Sequence, residues 1–165
     1  MNVTALAGRS ALVVALVLLV VTAVAGAAGA ATGRRRLETL GRRCGFAAAG
    51  FVAVAAVALE SAFVREDFSL GVVASYSSRE MPLVYRMAAF WGSQPGSLLL
   101  WLLVLTGAAS LVTYQNRHRN RELMPWVTAV LGAIMVFFAT MAALVSSPFE
   151  HVAGAVPVNG TGLDP

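Results

Sequence analysis

The residues of this chain that could carry out chemistry are few and widely separated. The sequence has 165 residues, with two histidines, His118 and His151, and one cysteine, Cys44. A single cysteine excludes an internal disulfide bond and a zinc site built from thiolates. The sequence contains no phosphate-binding loop, HExxH, CxxC, CxxCH or Ser/His/Asp set with supporting context. We therefore predict no catalytic residues and no metal site within this chain.

Three ionisable side chains have both a functional and a structural interpretation. His118 lies among arginines and His151 follows Pro148-Phe149-Glu150, and both are interpreted as solvated loop residues. Glu60 lies in an apolar run, where a carboxylate should face protein or water rather than lipid. It is either a buried or proton-handling group, or a carboxylate that reaches the membrane interface. Arg65 is its possible partner.

Composition places the chain among membrane proteins. Hydrophobic residues make up 58% and charged residues only 12%, whereas a soluble domain carries about a quarter charged residues. The mean hydropathy is +0.75 and the pI is about 10.2. All 12 positive charges are arginines, and most of them flank apolar runs. This placement indicates membrane topology rather than a nucleic-acid partner.

Four apolar runs predict an all-α integral membrane protein with four transmembrane helices. The predicted spans cover residues 10–31, 44–64, 97–114 and 126–145, each long enough for about 30 Å of hydrocarbon. For the first run, a cleaved signal peptide is the alternative. Three arginines follow that run directly and favour a retained span, because positive charge holds that end in the cytoplasm.

The arginines also predict the orientation of the chain. Five of the 12 lie in residues 33–43 and three in residues 115–124, which are interpreted as two short basic loops. The positive-inside rule places these loops in the cytoplasm. Both termini, the outer loop 65–96 and the tail 146–165 then lie on the outer side. Binding of anionic lipid by residues 33–43 is the alternative to a topology signal.

The outer loop 65–96 predicts two pieces of local structure. Apolar and small residues alternate over 68–76, which indicates an extended, half-buried piece. After Pro82 the spacing predicts a short amphipathic helix that lies in the membrane interface and ends at Gly92. Trp91 and Trp101 then bracket a predicted turn that contains Pro95 and Gly96. On composition alone, these tryptophans would be anchors of the third span.

Read in order, the residues of this loop resemble the first outer loop of the CcmF family, the large membrane subunit of the cytochrome c haem lyase, with its NrfE-type paralogues. The residues that carry the resemblance are Asp67, Tyr85, Trp91, Gly92, Gly96, Ser97 and Trp101. One departure is Pro95, which stands where the family pattern has a polar or acidic residue. The tail, with Ser147-Pro148-Phe149-Glu150 and Gly160-Thr161-Gly162, is also similar to that family.

The resemblance implies the amino-terminal module of a protein that attaches haem to apocytochrome c at the outer face of the bacterial cytoplasmic (inner) membrane. It implies as partners the remainder of the lyase polypeptide, the haem chaperone CcmE, a CcmH-type subunit and apocytochrome c. The family's haem ligands are expected beyond Pro165, so none is assigned to His118 or His151. The chain is interpreted as one membrane module, a fragment or split piece of a larger protein.

Two other functions remain as alternatives. One is a structural or accessory subunit of another membrane complex with no haem role. The other is a small transporter, which the near absence of polar residues within the spans disfavours, because Glu60 alone lies near the membrane interior.

Overall fold

Six helices follow one another in the part of the chain that the structure describes. The computed structural model describes residues 3–116, 120, 122–152 and 154–162. The helices are α1 (Val3–Thr32), α2 (Arg35–Val64), α3 (Gly71–Tyr76), α4 (Leu83–Gly92), α5 (Gln94–Asn116) and α6 (Met124–Thr140), and α6 continues into a π-helical turn over Met141–Val145. Helices α1, α2, α5 and the combined segment Met124–Val145 are long and apolar enough to cross a membrane. The predicted all-α class with four such helices is confirmed.

The four long helices form a bundle that is apolar inside and outside. Helix α1 packs along α2 and α6, and α5 packs against the same two helices. Leu12, Leu19, Val52, Leu59 and Leu102 are fully buried between them. Many apolar side chains on the outside of the long helices are exposed. A helix that is apolar on all sides is typical of a membrane span, whose outer surface meets lipid.

Small residues bring α1 and α6 into direct backbone contact. A Cβ atom added to Gly132 would lie 2.9 Å from the Cα of Ala23, and one added to Gly26 would lie 2.9 Å from the backbone nitrogen of Ala129. Close approach at small residues is how helices gain packing contacts where lipid removes the hydrophobic driving force. These glycines fix the α1–α6 pair.

The predicted basic loop over residues 33–43 is wrong for most of its length. Only Gly33 and Arg34 connect α1 to α2, and Gly33 ends α1 with a φ of +64° and an N–H bond of 2.8 Å to the carbonyl of Gly29. Helix α2 then begins at Arg35 because arginine, leucine and glutamate are good helix formers. The arginines therefore project from the first turns of a helix.

The predicted extended piece over 68–76 is wrong from Gly71 onwards. Residues 71–76 form α3, which opens with a bond of 3.0 Å from the Ala74 N–H to the carbonyl of Leu70. Val72 and Val73 are both buried, whereas consecutive strand residues face opposite sides. Only Leu70 keeps an extended pairing, an antiparallel bridge with His151.

The chain thus has two distinct ends. We call the end with residues 65–96, 146–152 and 154–162 the loop end, and the end with Gly33, Arg35 and Asn116 the arginine end. The predicted spans 10–31, 44–64, 97–114 and 126–145 all lie inside the four long helical segments. Their limits as membrane boundaries stay predictions.

Candidate functional site

Glu66 fastens α4 to the end of α2. Two residues after α2 ends, Glu66 has a φ of +57°, which turns the chain sharply. Its carboxylate accepts a charged hydrogen bond from Nη1 of Arg86 on α4, and Nε of Arg79 lies 3.9 Å away. The Arg86 side chain is only 16% exposed, and its Nη1 also lies 3.5 Å from the carbonyl of Val64. An inward-facing arginine therefore holds α4 against the bundle.

The opposite face of α4 is apolar and exposed. Val84, Tyr85 and Trp91 are 74%, 59% and 64% exposed, and Leu83 and Met87 are each 48% exposed. The predicted helix and its end at Gly92 are confirmed, but Arg86 lies on the inward face instead of in water. An apolar outer face with the charge turned inward suits contact with lipid or with another protein.

Ser93 alone joins α4 to α5, so the predicted turn that contains Pro95 and Gly96 is wrong, because both residues lie in α5. The Ser93 N–H donates to Ala89 O at 3.0 Å and ends α4. Its Oγ accepts the N–H of Gly96 at 3.2 Å, the standard contact of an N-cap residue with the third helical residue. Pro95 lies in the first turn of α5, where no N–H is needed. Pro95, which departs from the family pattern, is therefore compatible with the start of α5.

The position of Gly96 has no room for a side chain. A Cβ atom at this position would overlap the carbonyl oxygen of Phe90 and lie 2.6 Å from Oγ of Ser93. Gly92, four residues earlier, has nothing within 4 Å of its added Cβ position. Ser97 closes the same turn, with its N–H on Ser93 O at 2.8 Å and its Oγ on Gln94 O at 2.9 Å.

The other residues singled out from the sequence are dispersed around this joint. Asp67 accepts hydrogen bonds from the N–H and Oγ of Ser69 at 3.3 and 2.6 Å and so shapes the loop before α3. Trp101 is 63% exposed on α5. Glu60 is half-buried on α2, and among the described residues it makes no ion pair with Arg65. The structure therefore places them as local supports and exposed aromatics rather than as one catalytic cluster.

The tail binds back to the loop end through its backbone. The Gly71 N–H donates to Glu150 O at 2.9 Å, and the Val152 N–H donates to Ser69 O at 3.0 Å. Phe149 is buried and its ring lies against Gly8 of α1. The last span is therefore tied at once to both α1 and the loop before α3.

Residues 159–162 then cap α3. The N–H groups of Thr161 and Gly162 donate to the carbonyls of Ala74 and Ser77 at 2.9 and 3.2 Å. The Thr161 Oγ1 donates to Ser75 O at 2.9 Å. Gly160 leaves no room for a side chain, because an added Cβ would overlap Ser77 O. We call these bonds of residues 150–152 and 159–162 the tail clasp.

Sequence reasoning missed Ser93 and the tail clasp. Ser93 lies two residues before Pro95 and three before Gly96, and a serine just ahead of a proline in the first helical turn is an N-cap pattern that could have located it. The tail clasp had no comparable local signal, because its partners lie 79 to 87 residues away. Asn159 shows this: its Oδ1 accepts the N–H of Arg79 at 2.9 Å.

An open cavity of about 590 Å³ lies between α3, the start of α5 and the tail. Tyr76, Gln94, Glu150 and His151 contribute polar groups to its lining. His151 is exposed and its backbone pairs with Leu70, whereas His118 lies outside the described residues. Among the described residues, no three His, Cys, Asp or Glu side chains come together as metal ligands. The cavity offers polar contacts and one imidazole.

Four long apolar helices in this arrangement define a multi-pass membrane protein. A scan against protein-family models finds no match. A solved structure, that of the cytochrome c haem lyase CcmF, superposes with a TM-score of 0.79 and 29% sequence identity, over 94% of this chain and 26% of that one.

Curated relatives agree with the structural match. Cytochrome c-type biogenesis protein CcmF of Pseudomonas aeruginosa is 35% identical over 158 residues, which are 96% of this chain and 24% of that protein. CcmF of Escherichia coli is 36% identical over 69% of this chain, and NrfE of Haemophilus influenzae is 33% identical over 65%. The chain belongs to the CcmF family. It spans about a quarter or less of the length of these relatives.

Proposed function

We propose that this chain is the membrane module of a cytochrome c-type haem lyase that frames, at the loop end, a site completed by further polypeptide. The tail clasp is the observation that carries this proposal. It ties the loop before α3, α3 itself and the segment after the last span together beside the 590 Å³ cavity, whose lining also includes Gln94 and Pro95 at the start of α5. A unit of this kind can orient neighbouring segments, while its own described residues hold no ligand cluster.

Haem is the proposed substrate of the complete assembly, and apocytochrome c is its acceptor. The supporting observation is the match to CcmF proteins over nearly the whole chain. The proposed partners are the remaining lyase polypeptide, the haem chaperone CcmE and a CcmH-type subunit. The exposed apolar face of α4 and the exposed Trp101 supply surface for the remaining polypeptide or for lipid.

The proposed location is the bacterial inner membrane, with the loop end outside. The support is the distribution of arginine: Arg34, Arg35 and Arg36 lie at the opposite end of the bundle, where positive charge is retained in the cytoplasm. Both termini then lie on the outer side, beside the compartment where apocytochrome c would receive haem.

Split complementation tests this function. Escherichia coli cells would carry a CcmF gene that lacks the segment matched by this chain, and the chain would be supplied from a plasmid. We expect haem covalently attached to a c-type cytochrome, seen by peroxidase staining after denaturing electrophoresis, only when both polypeptides are present. If both reach the membrane and associate but no haem is attached, the lyase proposal fails and an accessory role without haem is favoured.

A further inference from the structure

A second open cavity, of about 680 Å³, lies at the arginine end of the bundle. It is bounded by the first turns of α2, the end of α5 and the start of α6. Four charged side chains contribute to its lining: Arg35, Glu38, Arg42 and Glu122. Hydroxyl groups add to the lining through Thr39, Thr113 and Thr128.

These four charged side chains form no ion pairs with one another among the described residues. Among the described residues, the ion pairs are those of Glu66 with Arg79 and Arg86, both at the loop end. Glu38 and Arg42 are four residues apart on α2, with the glutamate first, which is the spacing that favours pairing on a helix. Both side chains nevertheless line the cavity without bonding each other. The cavity therefore presents two cations and two anions that are available to a ligand.

This set of charges selects the chemistry of the ligand. Guanidinium groups bind phosphate through charge-assisted hydrogen bonds. Carboxylates bind ammonium groups through the same kind of bond. A purely anionic group would be attracted by Arg35 and Arg42 and repelled by Glu38 and Glu122. A group that carries both a phosphate and a primary amine satisfies both pairs.

The surroundings of the cavity indicate a lipid rather than a soluble ligand. Leu40, Leu123 and Trp126 are exposed next to residues that line the cavity. Trp126 and the exposed Tyr114 mark the level where aromatic side chains meet the headgroups of a bilayer. A headgroup in the cavity would leave its acyl chains over these apolar side chains.

We propose that the arginine-end cavity binds the headgroup of an amine-bearing phospholipid, with the phosphate on Arg35 and Arg42 and the ammonium on Glu38 and Glu122. This site is separate from the loop end and does not depend on the proposed lyase function. It makes the protein selective for phosphatidylethanolamine over phosphatidylglycerol, which has the phosphate but lacks the amine.

Native mass spectrometry of the purified full chain in detergent tests the proposal. The probes are palmitoyl-oleoyl phosphatidylethanolamine, palmitoyl-oleoyl phosphatidylglycerol and free phosphoethanolamine. We expect the phosphatidylethanolamine adduct to form at about tenfold lower concentration than the adducts of the other two probes. Phosphatidylglycerol lacks the charge-assisted bond of the amine, and free phosphoethanolamine lacks the apolar contacts of the acyl chains. Equal binding of both phospholipids would overturn the role of the amine, and equal binding of free phosphoethanolamine would overturn the lipid source.

Variants on α2 provide the matched controls. Arg42→Gln should weaken both phospholipids about tenfold, whereas Arg43→Gln, at a neighbouring exposed position outside the lining, should change neither. Glu38→Gln preserves the shape of the side chain and should reduce the preference for phosphatidylethanolamine, because only Glu122 then faces the ammonium. Circular dichroism verifies that each variant is folded. If Arg42→Gln does not fold, the effect of Glu38→Gln on the lipid preference is the test of the site. Equal effects of Arg42→Gln and Arg43→Gln, or a preference unchanged by Glu38→Gln, would refute the site.

Discussion

Gly92 and Gly96 belong to the same short signature, yet the structure assigns them opposite tolerance to a side chain. Gly96 faces the carbonyl of Phe90 without room for a Cβ, whereas Gly92 faces open space. We expect Gly96→Ala to reduce the free energy of unfolding by roughly 1–3 kcal/mol, the usual cost of overpacking. Gly92→Ala should be neutral or stabilising by up to about 1 kcal/mol, because alanine is the better helix former.

Thermal or denaturant unfolding in detergent, followed by circular dichroism, measures both variants under the same conditions. Equal stability of Gly96→Ala and the unchanged chain would contradict the close α4–α5 contact. In the split-complementation assay, a bulkier Gly96→Leu should also lower haem attachment, while Gly92→Ala should retain it.

At the scale of single residues, the sequence pattern singles out Gly96 and predicts a turn there. The structure instead has Gly96 inside α5, against the end of α4. The pattern could not show this, because the clash depends on the angle between two helices. Ser93 was predictable from its spacing to Gly96, since an N-cap bond is local.

At the scale of elements, the orientation of α4 depends on one charged pair. Glu66→Gln and Arg86→Gln should each destabilise the loop end, and their double-mutant cycle should show a coupling of roughly 1–3 kcal/mol, as for hydrogen bonds to charged groups. The physical reason is that Arg86 is largely buried against Val64 and Glu66.

The cycle is measured from unfolding in detergent, with Glu80→Gln as control, because Glu80 is exposed in the same loop. A coupling near zero between Glu66 and Arg86 would show that packing of α4, and not the ion pair, sets its position.

The tail clasp yields a separate prediction for α3. Gly160→Leu should displace residues 159–162, because a side chain there would overlap the carbonyl of Ser77. Hydrogen exchange at the amides of Thr161 and Gly162 should then accelerate by about tenfold or more, since their bonds to α3 would open locally. Val158→Ala, at an exposed position, is the control. Unchanged exchange in Gly160→Leu would contradict the tail clasp.

The helices that cross the membrane were predictable from the sequence, and the other helices were less so. A membrane forces each span into about 20 apolar residues, so all four were found. The alternation over residues 68–76 predicts an extended piece, but nine residues are too few to exclude a helix. The burial of both Val72 and Val73 comes from tertiary packing, which the sequence pattern does not show. Helix α2 begins at Arg35 because the residues there have high helix propensity, whereas their positive charges indicated a loop.

At the scale of the whole molecule, the proposed orientation predicts which surfaces are accessible from each side of the membrane. In a Cys44→Ala background, Glu80→Cys at the loop end should react with a membrane-impermeant maleimide added to spheroplasts. Arg36→Cys at the arginine end should react only after lysis, because arginine-rich ends are retained in the cytoplasm. Both positions are exposed, so burial does not distinguish them. The reverse pattern of labelling would invert the topology.

The whole-molecule architecture also shows the reach of sequence reasoning. The bundle and its two unlike ends follow from hydropathy and arginine placement. The two cavities do not, because each is lined by residues from three or more separate segments. Arg42 and Glu122 are far apart in the sequence, and only the packing of α5 and α6 beside α2 brings them to the same cavity.

The tail clasp sets an order of events during biosynthesis. Thr161 bonds Ser75 across 86 positions of the chain, so the carbonyls at the end of α3 keep no such partner until the ribosome has passed residue 162. By then α1, α2, α5 and α6 have all been synthesised. The tail clasp can therefore form only after all four long helices have been synthesised, and nascent chains halted before residue 159 should present α3 without these bonds to any assembly factor on that side.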